Sequence, residues 1–238
     1  MADEKTLKQL NINYVRGFIF FHVLVFALVA GIDLKEVMAN FDLGIDVKAV
    51  IGSIDLGMNK LAEDAIGVSL ISALLYILTI VTSGLVSPGL KARLVFLRNK
   101  NALPGCRAFS EYIDKDPRID PKIIINNNGI LPTLPEEQNR LWYRMSKKHG
   151  DDRSVIEAHK HFLLTRDLCS IHLLFLFFLG LISYFSMTNK THWLIYFTSL
   201  VISLVALIVA AQNYGIRFVT NVLAAESCSK QANSLQVP

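Results

Sequence analysis

The sequence predicts an all-α polytopic membrane protein, with four transmembrane helices, a helical cytoplasmic insert and a small extracytoplasmic loop. Three observations predict it. The 238 residues are 52% hydrophobic and 18% charged, against about 45–50% and about 25% in soluble domains. Four apolar runs, at 14–32, 66–88, 168–187 and 193–212, are long enough to cross about 30 Å of hydrocarbon at about 1.5 Å per helical residue. The third, LCSIHLLFLFFLGLISYFSM, and most of the fourth, WLIYFTSLVISLVALIVAA, contain no Asp, Glu, Lys or Arg.

Residues 1–13 form a short N-terminal segment of mixed charge. The run 14–32 has full span length and ends in GIDLKE without a small-residue cleavage pattern, so it is expected to stay as a permanent span. Residues 33–65 form an acidic loop, and the stretch 31–64 holds seven acidic residues against three lysines. LKEVMANF has helical apolar spacing, whereas FDLGIDV alternates as a strand does. The echo FDLG and IDLG reads as two similar turn or strand edges. Asp42 and Asp55 alone do not supply the six or more oxygens that calcium takes.

The second span, 66–88, is followed by an insert at 89–167. Ser87-Pro88-Gly89 breaks the chain before the amphipathic KARLVFLRNK, and CRAFSEYIDK is expected to be a short helix stopped at Asp116-Pro117. Asp120 and Pro121 supply an N-cap and a first-turn proline for a helix that stops at Asn128-Gly129. Thr133 with Glu136, and Ser154 with Glu157, read as capping boxes. No turn signal interrupts the chain from Ser154 into the third span. That span is 168–187, its short connection to the fourth is 188–192, the fourth is 193–212, and the tail is 213–238.

Lysine and arginine set the orientation. The loop 90–167 carries fifteen of them, and the acidic loop carries three. Positive-inside reasoning puts both termini and the insert in the cytoplasm of a cell whose inner membrane holds the spans, with the acidic loop outside. The net charge of +4 is met by anionic lipid heads and calls for no nucleic acid. Cys106, Cys169 and Cys228 have no metal or CxxC spacing and fall on or near the reducing side.

No enzyme motif is present, and the chain is expected to be neither an enzyme nor a cofactor carrier. Glu157 and His161 share a helix face, and with His149, Cys106 or Asp167 they are the one metal combination to test. A solvated helix is the plainer reading. His22 and His172 lie inside spans at similar depth, so both are expected to face the bundle interior, where they form a candidate intramembrane switch. Ser199, Ser203, Ala206, Ala210, Asn213 and Arg217 form one small or polar face along the fourth span. That seam suits helix packing in an oligomer or, with Arg217 at the inner mouth, a pore lining. Arg140, Trp142, Tyr143 and Arg144 are a candidate partner surface. Trp142 and Tyr143 either sit at headgroup level or form the core of the insert.

LPGCRAF at 103–109 and NRLWYRMSKKH at 139–149 have the look of family signatures. In layout and size the whole chain resembles small four-span bacterial membrane subunits of anti-phage defence systems, such as the membrane component of Kiwa. The resemblance implies an envelope-sensing or abortive role, a homo-oligomer and a cytosolic partner protein. It assigns no site residue. The reading expected from the sequence is a membrane sensor or scaffold holding a cytosolic partner on residues 90–167. The alternative is an oligomeric pore-forming effector gated through the insert.

Overall fold

The computed structural model describes residues 7–30 and 86–229. The expected second span at 66–88 (but for its last residues) and the acidic loop at 33–65 lie outside them. All regular structure among the described residues is helical. In chain order the elements are α1 (Leu7–Ala30), α2 (Pro88–Phe96), a 3-10 turn (Pro104–Arg107), a π turn (Ala108–Tyr112), α3 (Pro121–Asn128), α4 (Pro135–Lys148), α5 (Arg153–Ser186) and α6 (Lys190–Cys228). Three helices, Asn11–Ala30 within α1, then α5 and α6, are long and apolar enough to cross a membrane. The chain divides into two units: 1–86 with 170–205, and 87–169 with 206–238.

The first unit is the membrane unit. Its core is built from Ile19, Val23, Phe26 and Ala27 of α1, Ile171, Phe175 and Leu179 of α5, and Tyr196 and Leu200 of α6. These recur every three or four residues and so form one stripe per helix. The outward stripes are equally apolar, with Phe21, Phe177, Ile195 and Ile202 all exposed. Such helices suit lipid on the outside, and close packing rather than a hydrophobic gradient holds them together. Gly180 allows the close approach of α5 to α6, since a Cβ there would sit 3.0 Å from Phe197. Lys190 Nζ donates to the Tyr184 carbonyl at 2.5 Å, closing the end of α5. Asn189 Oδ1 accepts from Thr191 N at 2.9 Å and opens α6.

The second unit is the insert together with the far part of α6. Val95, Phe109, Ile124, Leu141, Trp142, Val155, Phe162, Phe218, Val219, Val222 and Leu223 share one core. The spacing of 218, 219, 222 and 223 keeps the chain helical well past residue 212, where the apolar run ends. Polar side chains stitch this end of α6 in place. Asn221 Oδ1 accepts from Arg118 at 2.8 Å, and its amide donates to the Ser154 carbonyl at 2.9 Å. Ser227 Oγ accepts from Asp120 N at 3.1 Å.

Two helix starts and one helix differ from expectation. The helix α4 begins after Leu134, and neither Thr133 nor Glu136 forms a cap bond. The Gln138 amide donates instead to the Thr133 carbonyl at 3.0 Å, drawing that residue into the loop. At α5 the carboxylate of Asp152 outcompetes Ser154, accepting from Ser154 N at 2.8 Å and Val155 N at 3.2 Å. Residues 104–112 are a 3-10 turn followed by a π turn rather than an α-helix. Gln138 Oε1 takes the Phe109 and Ser110 amides at 3.1 and 3.2 Å, and Gly105 packs so closely on Trp142 and Asn139 that a Cβ would clash with both. The expected start at Asp120-Pro121 and stop at Asn128-Gly129 are present.

Candidate functional site

The two histidines of the spans meet. His22 projects from α1 and His172 from α5, with ring centroids 4.9 Å apart and planes at 72°. Both are buried, at 6% and 0% exposure. His22 Nδ1 lies 2.9 Å from the Phe18 carbonyl one turn back, so Nδ1 carries the proton. His172 Nε2 lies 2.8 Å from the Leu200 carbonyl and 2.9 Å from Ser203 Oγ, both on α6. A carbonyl only accepts, so Nε2 donates and the neutral ring leaves its lone pair on Nδ1. That Nδ1 is buried without a partner. A buried polar atom left so costs about 1–3 kcal/mol. Phe18 and Phe175 flank the pair, at 4.2 and 5.2 Å from the His22 ring. Among the described residues no carboxylate, ammonium or guanidinium forms an ion pair with either ring.

The seam of α6 divides. Ser203 turns inward to His172. Ser199, Ala206, Asn213 and Arg217 are exposed, and Ala210 is half-buried. Ser199 Oγ returns a hydrogen bond to the Tyr196 carbonyl at 2.7 Å, which satisfies its donor within the helix.

In the insert, Trp142 is buried and packs edge-on to Phe218 at 5.1 Å. It belongs to the core of the insert. Arg140, Tyr143 and Arg144 lie on the outer face of α4, and the Lys147 ammonium sits over the Tyr143 ring, 5.4 Å from its centroid. The residues raised as a metal set do not assemble. Glu157 pairs with Arg153 at 3.0 Å, His161 stacks on Tyr214 at 5.1 Å, and His149 Nε2 lies 2.6 Å from Glu226. Among the described residues no three metal-binding side chains cluster.

Glu226 is the residue that the sequence reading missed. Its side chain is 1% exposed, and it receives Lys148 Nζ at 2.9 Å, His149 Nε2 at 2.6 Å and Asn128 Nδ2 at 3.2 Å. The carboxylate thereby ties α3 and α4 to the end of α6. Its partners lie 77 and 78 residues away along the chain, at His149 and Lys148, so no local pattern announces it. A second pair closes the insert nearer the apolar run. Lys91, 4% exposed, reaches Asp167 at 3.0 Å, and Arg166 shares the same oxygen at 3.1 Å. The carboxyl of Asp116 is held below its ordinary range by the hydrogen bond from Arg118, and that of Asp152 by Ser154. Burial pushes the Cys106 thiol up and away from the reactive thiolate.

No family model, no curated protein and no solved structure matches the chain.

Proposed function

We propose that the protein is a transducer of the bacterial inner membrane that couples an event at the envelope to a cytosolic partner. The observation that supports this most is the continuity of α5 and α6. One helix runs without a break from His172 back to Arg153, and the other from Ser203 on to Cys228. The same two helices therefore build the histidine junction and much of the core of the insert. A shift of 1–2 Å in a helix is the usual size of a switching movement. The junction has two settings: neutral, as described, or with a proton or a donor at His172 Nδ1, which then needs a new arrangement. Under this reading the termini and insert are cytoplasmic, the outer face of α4 with Arg140, Tyr143 and Arg144 meets the partner, and copies associate through the exposed small face of α6. The likeness in layout to anti-phage membrane subunits extends the role to defence, which plating efficiency of phage on expressing cells measures.

A second reading is an oligomeric pore. The exposure of Ser199, Ala206, Asn213 and Arg217 on one helix favours it. Membrane potential in intact bacteria, followed by a voltage-sensitive dye during expression, separates the two. The transducer reading expects unchanged potential with the protein inserted in the membrane. Depolarisation that a Ser199→Leu, Asn213→Leu variant abolishes would overturn it in favour of the pore. Ser203 is left untouched in that variant because it holds His172.

A further inference from the structure

A groove of about 470 Å³ opens on the membrane unit between α5 and α6. Its walls are Leu173, Phe177, Leu181 and Tyr184 from α5 with Trp193 and Phe197 from α6, and its floor is Gly180. The wall residues of α5 are exposed, Phe177 at 65%. From Leu173 to Tyr184 is eleven residues, or about 16 Å at about 1.5 Å each, which is one half of a hydrocarbon core of about 30 Å. The groove thus has the length of one acyl chain lying in one leaflet. Its mouth lies at the turn between the helices, where Tyr184 and Trp193 meet edge to face at 5.2 Å. Trp193 is fixed there by a hydrogen bond to the Gly180 carbonyl at 3.1 Å and by stacking on Phe197 at 5.4 Å. Tyr and Trp are the side chains that settle at headgroup level. Lys190 sits over the Tyr184 ring at 4.2 Å and is exposed. An apolar slot of leaflet length therefore ends in a rigid aromatic collar with one cation on it.

We propose that this groove is a binding site for an anionic phospholipid, with an acyl chain along Leu173–Tyr184 and the phosphate on Lys190. The aromatic collar and the lysine distinguish it from the exposed stripe of α6 around Ile202. Chain burial supplies affinity, and the ammonium supplies preference for a negative headgroup. One lysine near the surface favours the anionic head by about fivefold, which corresponds to about 1 kcal/mol.

The test uses the full chain in nanodiscs of equal parts phosphatidylcholine and phosphatidylglycerol, with a diazirine in the acyl chain of one lipid or the other. Labelled peptides are mapped by mass spectrometry. The expected result is labelling concentrated on residues 173–197, about fivefold stronger with phosphatidylglycerol. Lys190→Gln removes the headgroup preference and keeps the chain label. Leu181→Trp fills the slot and lowers the label, while Ile202→Trp, away from the groove, does not. Equal label from both lipids, or label spread evenly over α6 as far as Val209, would mean bulk lipid and overturn the proposal. So would a groove shielded from both lipids that instead cross-links to a second copy or to residues 66–88.

Discussion

Glu226 in the insert and His172 in the membrane unit are equally enclosed, at 1% and 0% exposure, and are furnished in opposite ways. The carboxylate has an ammonium, an imidazole and an amide aimed at its two oxygens. The imidazole has one nitrogen doubly engaged and the other with nothing. In a medium of low dielectric, a filled polar network specifies one arrangement, and a half-filled one is a place where arrangement can change. The Glu226 site is thus built to hold one arrangement, and the His172 site to have an alternative.

The comparison can be broken from the insert side first. Lys148→Met with His149→Leu leaves Glu226 buried with neither the ammonium nor the imidazole. The expected cost is about 3–5 kcal/mol, read as earlier denaturant unfolding of the insert. The two tryptophans of the chain make this measurable, because Trp142 reports the insert and Trp193 the membrane unit. A Trp193→Phe background should show the loss, and a Trp142→Phe background should not. Equal shifts in both backgrounds would mean that the two units unfold as one.

Next in size is Gly105→Ala, whose methyl has no room beside Trp142 and Asn139. Overpacking of this kind costs about 1–3 kcal/mol, and the Trp142 emission should redden with it. Asp152→Ala, which removes the cap of α5, should cost about 1 kcal/mol. The same carboxylates set an acid limit. Asp116 and Asp152 are both held below the ordinary value of 3.8. Their contribution is therefore complete above that pH and is lost as pH falls through the lower folded values. Stability read by Trp142 should begin to fall below the ordinary imidazole value of 6.5, because burial holds His159 below it, and should fall further in stronger acid, where Asp116→Asn shrinks the fall. The smallest stability effect is expected for His172→Gln, about 0.6 kcal/mol for a hydrogen bond within a bundle, seen in the Trp193 signal.

Much of the architecture was legible because it rests on local signals. Asp120-Pro121 and Asn128-Gly129 bracket α3 as their chemistry dictates, and the missing turn signal after Ser154 does mean one continuous helix into the third apolar run. The inward facing of His22 and His172 followed from the cost of leaving an imidazole against lipid inside a span. What was not legible is tertiary. Asp152 displaces a plausible capping box because a carboxylate two residues earlier reaches the same amides. Residues 106–112 miss an α-helix because Gln138, far along the chain, claims their amides. The Glu226 network joins three elements that no periodicity connects, and the vacant nitrogen of His172 depends on which carbonyl lies opposite.

The central claim is that the histidine junction and the insert are coupled. Cys228 is the exposed cysteine, whereas Cys106 and Cys169 are buried, so an environment-sensitive thiol dye reports the far end of α6 in the otherwise native chain. The decisive measurement is its emission in proteoliposomes as pH is stepped down from about 8, through the ordinary imidazole range and about one unit below it. The account predicts a shift in the native protein that His172→Gln removes while the Trp142 signal stays constant. The same shift in both proteins, or none in the native one, would contradict it.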